Sequence, residues 1–272
     1  MKQADASGPK TRIAQAHADR VTVRGADLCT ECIGHETFAA YFLRLLNVER
    51  TPALVALVDA TLIAIAEHGL VPSVQAARMT YAASPESLHG SVAAGLLGCG
   101  SVILGASETA GAFLGDLNRK AHASGRPLDE VALDAVSEIR AARRALPGFG
   151  HPIHKPEDPR AWRLLELAED LGSAGANCAA LKAVHGVVPH VYGRALPLNV
   201  SGAIPAVLLD AGFPQGAMKG IPLIARTAGL IAHLLEEQEH PIGFALSNTA
   251  EAGIDYDVAP SAKDLAAEGA SS

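Results

Sequence analysis

The run Gly148-Phe149-Gly150-His151-Pro152-Ile153-His154-Lys155-Pro156-Glu157-Asp158-Pro159-Arg160 concentrates the groups that carbonyl chemistry needs. Its glycines free the backbone for close approach to a ligand, a histidine follows at the loop's exit, and an arginine falls in the first turn of the next helix. That arrangement suits an anionic substrate with a carbonyl group. A Gly/Pro-rich connector carrying surface histidines has the same composition, so the run alone leaves both readings open. A second cation, Arg226, sits in an otherwise apolar helix, where a guanidinium is costly to bury without an anion.

Helices must position these groups. Thr51-Pro52, a cap followed by a first-turn proline, opens a wide apolar face of Leu54, Val55, Leu57, Val58, Leu62 and Ile65. The same logic predicts a helix from Pro159 to Leu171 after Asp158, and another from Pro222 to Glu237 after Gly220. Ser91 to Leu104 is rich in small residues and nearly uncharged, which fits a helix packed closely at the core or at a subunit contact. No strand alternation of useful length interrupts this pattern, and no internal repeat is visible. Residues 1–19 are polar and small and are expected to form a loose arm; the tail, 259–272, is similar, with a frayed turn at Lys263 to Ala267.

Composition narrows the function classes. Hydrophobic residues make up 49% of the chain and aromatics only 4%, a mixture that favours closely packed helices over a strand-rich sandwich. With 22 Lys and Arg against 29 Asp and Glu, the net charge is −7, and no basic stripe offers itself to a phosphate backbone; nucleic acid is not an expected partner. The most apolar run, Leu54 to Ala66, is broken by Asp59 and falls short of the roughly 20 residues a spanning helix needs, so no membrane segment is expected. Four cysteines, Cys29, Cys32, Cys99 and Cys178, are too few and scattered for a disulfide framework, and no apolar leader core precedes them. The expected location is the cytoplasm. Cys29 and Cys32 with His35 have the spacing of half a zinc site without a second ligand pair, so no metal is expected.

The thirteen-residue run resembles the Gly-Phe-Gly-His-Arg-Val-Tyr-Lys-x-x-Asp-Pro-Arg signature of citrate synthases, with eight positions kept. Upstream, Glu67-His68-Gly69-Leu70 followed by Arg78 is similar to the family's Asp-His-Glu-Leu-Asn-Ala-Ser-Thr-Phe-Ala-Ala-Arg helix, and Gly100 to Glu108 falls where the family has Gly-Pro-x-His-Gly-Gly-Ala-Asn-Glu. Downstream, Ile224 to Glu236 resembles Ala-Arg-Thr-x-Gly-Trp-x-Ala-His-x-x-Glu. The resemblance implies that His151 hydrogen-bonds the carbonyl oxygen that becomes the alcohol. It implies that Arg160 and Arg226 hold carboxylates, that His68 contacts the oxo acid, and that Pro147, Gly148, Phe149 and Gly150 receive the adenine of coenzyme A. Without it, a single histidine like His68 at a helix end reads as structural.

The pattern is broken in two of the family's three principal catalytic positions. Ile103 stands where a histidine polarises the thioester, and Ser201, in Leu198-Asn199-Val200-Ser201-Gly202, stands where an aspartate removes the methyl proton. Isoleucine neither donates a hydrogen bond nor titrates, and a hydroxyl is a poor base at neutral pH. The citryl-CoA-cleaving domain of ATP-citrate lyase also lacks the first histidine, so the resemblance is nearest to short, stand-alone citryl-CoA lyase-like proteins. Either a nearby histidine, His154 or His185, replaces the aspartate, or the reaction differs. At the chain's end, Gly243 to Thr249 carries no basic residue where the family presents a substrate-binding arginine, which points to fewer substrate carboxylates or a less exacting site.

The resulting expectation is an all-α, citrate synthase-like fold. A large helical domain is drawn from 20–114 and 222–258, a smaller helical lobe from 115–221 carries the His151 loop, and the active site lies in the cleft. The expected enzyme is a carbon–carbon lyase that cleaves citryl-CoA, or a related 3-hydroxyacyl-CoA, to acetyl-CoA and oxaloacetate or a related 2-oxo acid. His151, Ser201 and His68 are the expected catalytic residues, and His68, Arg160 and Arg226 the substrate-binding ones. Coenzyme A enters as part of the substrate, with no tightly bound cofactor, and a homodimer is implied. A condensing enzyme with a different acyl-CoA and oxo acid, or a catalytically weak acyl-CoA-binding protein, stays open.

Overall fold

The computed structural model describes residues 8–100, 106–151 and 154–257. Ile103 and the tail from 258 lie outside the described residues. The chain is helical as expected, with eleven α-helices among the described residues: α1 (Phe38–Leu46), α2 (Pro52–Ala66), α3 (Pro72–Ala83), α4 (Leu88–Leu97), α5 (Ala106–Ser124), α6 (Leu128–Ala141), α7 (Pro159–Asp170), α8 (Ala176–Tyr192), α9 (Val200–Asp210), α10 (Gly220–Glu239) and α11 (Gly243–Ala252). None is long and apolar enough to cross a membrane.

A small antiparallel sheet corrects the expectation of no strands and of a loose arm through residue 19. Strand β1 (Ala14–Ala16) pairs with β2 (Val21–Val23), which pairs with β3 (Ala26–Asp27). The β2–β3 loop is Arg24-Gly25, both at positive φ (51° and 85°), the conformation a two-residue hairpin requires. Arginine is unusual there. Its guanidinium, donating from Nε and Nη2 to the Leu45 carbonyl at 2.9 and 2.7 Å, holds the turn. Strands this short carry no readable alternation.

The helices begin where their caps dictate. Thr51 Oγ1 accepts from Leu54 N at 3.2 Å with Pro52 in the first turn, and α2 buries Leu54, Leu57, Val58, Thr61 and Ile65 along one stripe. Asp158 caps α7 in the same way, and α7 buries Ala161, Leu164, Leu165 and Ala168. Helix α9 is the central element, buried at Val200 and from Gly202 to Leu208, with α2, α5, α7 and α8 packed against it. Asp210, the last residue of α9, accepts from the Gly175, Asn177 and Cys178 amides at the start of α8. A carboxylate is well placed at a helix N-terminus.

The chain forms two compact units, one from Met1–His68 and Cys99–Gly229, the other from Gly69–Gly98 and Leu230–Ser272. These follow contacts along the chain and have other boundaries than the lobe division that the resemblance implies. Helix α4 spans Leu88–Leu97, earlier than the Ser91–Leu104 segment expected, and Gly95 explains its small residues: a Cβ there would meet Leu230 at 2.8 Å and the Ser73 carbonyl at 2.9 Å.

The second unit is built around a buried ion pair. Arg78 is 2% exposed; its Nε donates to Glu237, its Nη1 to Glu236 at 2.6 Å and its Nη2 to the His240 carbonyl at 2.9 Å. Glu237 also accepts from the Ile242 and Gly243 amides at 2.9 and 2.7 Å, so one carboxylate joins α3, α10 and the start of α11. Burial would raise its pKa, but the bonds from Arg78 and the two amides hold it below the ordinary range. Glu237→Ala is expected to cost about 3–5 kcal/mol in urea unfolding, because the buried Arg78 loses its one buried carboxylate and keeps only the exposed Glu236. The Arg78→Met/Glu237→Leu pair should recover most of that loss; a single variant within about 0.5 kcal/mol of wild type would refute the account.

Candidate active site

The site is assembled from four segments of the first unit: the end of α2, the loop leading to His151, the start of α7 and the start of α9. Asp158 ties three of them together. It is fully buried, and Oδ1 accepts from Arg160 N at 3.1 Å and Nε at 3.0 Å, while Oδ2 accepts from Arg160 Nη2 at 2.9 Å and Val200 N at 3.1 Å. Burial would push such a carboxyl up, yet the Arg160 bonds and charge and the Val200 amide hold it below the usual carboxylate range. The same side chain therefore starts α7, orients Arg160 and fixes where α9 begins. Arg160 Nη1 reaches the Ala64 carbonyl in the last turn of α2 at 3.4 Å.

The glycine loop lies along the segment before α9. Gly150 N donates to Pro197 O at 2.8 Å, Asn199 N to Gly148 O at 3.0 Å, and Asn199 Nδ2 to Gly150 O at 2.7 Å. Gly148 is at φ 80°, and a Cβ on it would lie 2.7 Å from Gly202 Cα. The close approach demanded at this position is thus that of a second backbone, which the sequence reading had assigned to a ligand. Phe149 is buried and stacks on His185 with ring centroids 6.3 Å apart. His185 also meets Trp162 edge-on at 5.3 Å and lies 3.6 Å from Glu157, which accepts from Trp162 Nε1. Ser201 occupies the first turn of α9, one residue from Gly202.

Three histidines meet at the other end of the loop. His68, two residues past α2, has its ring centroid 5.5 Å from that of His151 and 5.3 Å from that of His154, and His151 and His154 are 4.4 Å apart. His154 N donates to His151 Nδ1 at 2.9 Å, so the neutral His151 ring carries its proton on Nε2 and presents a donor there. His154 Nε2 and His68 Nε2 are 3.3 Å apart. Burial, then the neighbouring His154, then His68 and Arg160 depress the His151 pKa, with Asp158 opposing them. His151 is accordingly neutral at pH 7.

Among the described residues these rings are also the one group whose nitrogens, all within 4.8 Å of one another, approach metal-ligand spacing. The fit is imperfect, because His151 Nδ1 already accepts an amide proton and its Nε2 then bears hydrogen rather than a lone pair.

Arg226 lies on α10 and is 8% exposed; among the described residues its Nε and Nη1 have no hydrogen-bond partner. One turn along the same helix, a Cβ on Gly229 would lie 2.1 Å from the Ala66 carbonyl, so glycine lets α10 sit directly against the end of α2. The structure thus brings His68, His151 and His154 into contact and places Arg160 and the α10 segment against the same end of α2. Among the described residues no hydrogen bond joins Ser201 or Arg226 to His68 or His154, and Ile103 lies outside the described residues. The reading of the sequence missed Asp158 beyond its capping role, and missed Asn199 and Glu157; the Asp-Pro cap was the only local signal for any of them.

A family model described as the C-terminal domain of citrate synthase matches residues 10–243. The chain belongs to the citrate synthase family. Its structure is similar to that of citryl-CoA lyase from Hydrogenobacter thermophilus, with a TM-score of 0.80 and 31% identity, covering 92% of this chain and 95% of that one. ATP citrate lyase from Methanothrix soehngenii shares the fold at a TM-score of 0.75 and 20% identity, over 96% of this chain and 43% of that one. A Mycobacterium tuberculosis protein provisionally named citrate synthase 2 is 33% identical over 214 residues, 74% of this chain and 52% of the relative. The chain spans about half the length of the curated relatives it matches.

Within this citrate synthase-family site, His154→Ala keeps the amide that anchors His151 and removes the ring that opposes its charging. The His151 midpoint, followed by NMR of its ring protons, is expected below the ordinary histidine value in the wild type and to rise in the variant. An unchanged or lower midpoint would contradict the described cluster.

Proposed function

We propose that the chain is a carbon–carbon lyase that cleaves citryl-CoA, or a related 3-hydroxyacyl-CoA, to acetyl-CoA and a 2-oxo acid, working as a cytoplasmic homodimer. The observation that carries this reading is the anchored His151. The His154 amide donates to its Nδ1, which puts the neutral ring's proton on Nε2, a donor of the kind that stabilises an oxygen on which charge develops when a tertiary alkoxide collapses to a ketone. A neutral donor suits that task, and the depressed pKa keeps the ring neutral. Likeness to citryl-CoA lyase along nearly the whole of both chains supports the same choice. Loss of the family's two other catalytic side chains, at Ser201 and Ile103, argues against ordinary citrate synthesis.

In this reading Arg226 and Arg160 hold substrate carboxylates, His68 contacts the oxo acid portion, and residues 147–150 lie beside coenzyme A. Incubation of the purified chain with citryl-CoA, with products read by mass, tests it. Acetyl-CoA and oxaloacetate are expected, and His151→Ala should slow their formation by about 10²–10³-fold, the usual cost of removing a donor to a developing oxyanion. Full activity in that variant would refute the mechanism. The replaced side chains at 103 and 201 also favour a second reading, an acyl-CoA-binding protein; tight calorimetric binding of CoA thioesters without product would select it.

Arg226 gives a separate test, because buried guanidinium nitrogens such as its Nε and Nη1, which have no partner among the described residues, destabilise the free protein and gain partners from an anion. Arg226→Met is expected to leave the thermal midpoint unchanged or higher while KM for the acyl substrate rises at least about tenfold, the equivalent of one charged hydrogen bond. A lower midpoint with unchanged KM would make the arginine structural.

A further inference from the structure

We infer that His154 is the proton carrier of the reaction, taking the place of the family aspartate that Ser201 has replaced, with His68 as its positioning partner. The inference rests on the lyase reading above and adds the residue that moves the proton. His151, protonated on Nε2, donates to an oxygen and has no lone pair there with which to accept the substrate's hydroxyl proton. A base must therefore stand beside it. His154 is that neighbour: its ring centroid is 4.4 Å from His151, and its Nε2 is 3.3 Å from His68 Nε2. Two facing ring nitrogens require one donor and one acceptor; with His154 Nε2 donating to His68, the lone pair of neutral His154 lies on Nδ1. His185, the other histidine weighed from the sequence, is engaged with Phe149, Trp162 and Glu157 instead.

The step balances with one proton. The hydroxyl proton passes to His154 Nδ1 while Nε2 keeps donating to His68, and the electron pair left on the oxygen forms the new carbonyl. The carbon–carbon bond breaks and its pair moves into the thioester enolate, which lies next to the imidazolium just formed. His154 then returns the proton to the methylene carbon, giving the methyl group of acetyl-CoA. No oxidant, reductant or solvent proton is consumed, and one imidazole serves as base and then as acid. His68, hydrogen-bonded to the carrier, holds the ring in place and shares the positive charge.

The experiment uses the full chain with citryl-CoA, and acetyl-CoA in D2O for exchange of the methyl hydrogens. His154→Gln, which keeps hydrogen-bonding capacity without a titrating ring, is expected to lower kcat and methyl exchange by about 10²-fold or more with KM within about threefold. His154→Ala should regain rate when free imidazole is added, a response that a merely structural residue does not give. Wild-type turnover with an unaffected His154→Gln, or with no imidazole rescue of a folded His154→Ala, overturns this inference while the lyase reading stands. Loss of wild-type rate on adding EDTA would make the three rings a metal site and overturn it as well. Failure of the wild type to cleave citryl-CoA removes the lyase reading and the proton carrier together.

Discussion

The buried carboxylate of Asp158 is the constraint on which the site's geometry depends. An ionised group without solvent is tolerated only when its acceptor positions are filled, and here three donors come from Arg160 and one from Val200. Each bond fixes a different structural quantity. The amide of Arg160 sets the first turn of α7, its guanidinium sets the direction of that side chain, and the amide of Val200 sets the start of α9, forty-two residues along the chain. A neutral or shorter residue would release all three at once. The local Asp-Pro-Arg sequence is thereby converted into a long-range register between the histidine loop and the central helix.

This arrangement makes the two arginines that were paired in the sequence reading physically unlike. Arg160 is already matched by Asp158 and held in one orientation at the end of α2, so in the proposed function its pull on a substrate carboxylate is reduced and its contribution is direction. Arg226 is buried without a matched carboxylate among the described residues, and its charge is therefore the stronger pull on an anion. The chain as a whole is negative, so this local positive charge is set against the surrounding field. In the proposed function, leaving Arg226 Nε and Nη1 without partners among the described residues trades stability for binding.

Much of the fold was readable because its signals are local. Thr51-Pro52 and Asp158-Pro159 mark the starts of α2 and α7 within four residues, and the apolar stripes that follow are the faces found buried. The sheet was not readable, since strands of two or three residues have no period and the Arg24-Gly25 turn depends on a carbonyl at Leu45 that no window includes. For the site, composition pointed to the His151 loop, and only the family resemblance singled out His68, eighty-three residues earlier. Gly148 shows the limit of residue-type reasoning. Close backbone approach was correctly demanded there, but the approaching group is Gly202 of α9. Likewise Arg78 was visible only as one letter of a family motif, while its burial against Glu237 depends on helices about 160 residues apart.

Three imidazoles in contact would be a poor arrangement if they were cations, because each charge opposes the next. Burial first, and then the neighbouring His154, hold the His151 pKa below the ordinary histidine value, which suits the neutral donor of the proposed reaction. In the proposed reaction, Ser201 in place of the family's aspartate removes a negative charge from the vicinity of an anionic ligand. The base that remains is neutral, and on accepting a proton it becomes a cation at the moment an enolate forms. An aspartate performing the same step ends neutral and leaves the enolate's charge to other groups. A histidine carrier thus couples proton removal to charge compensation within one ring, so the absence of a polarising side chain at position 103 is less damaging here than it would be in a carboxylate-driven site.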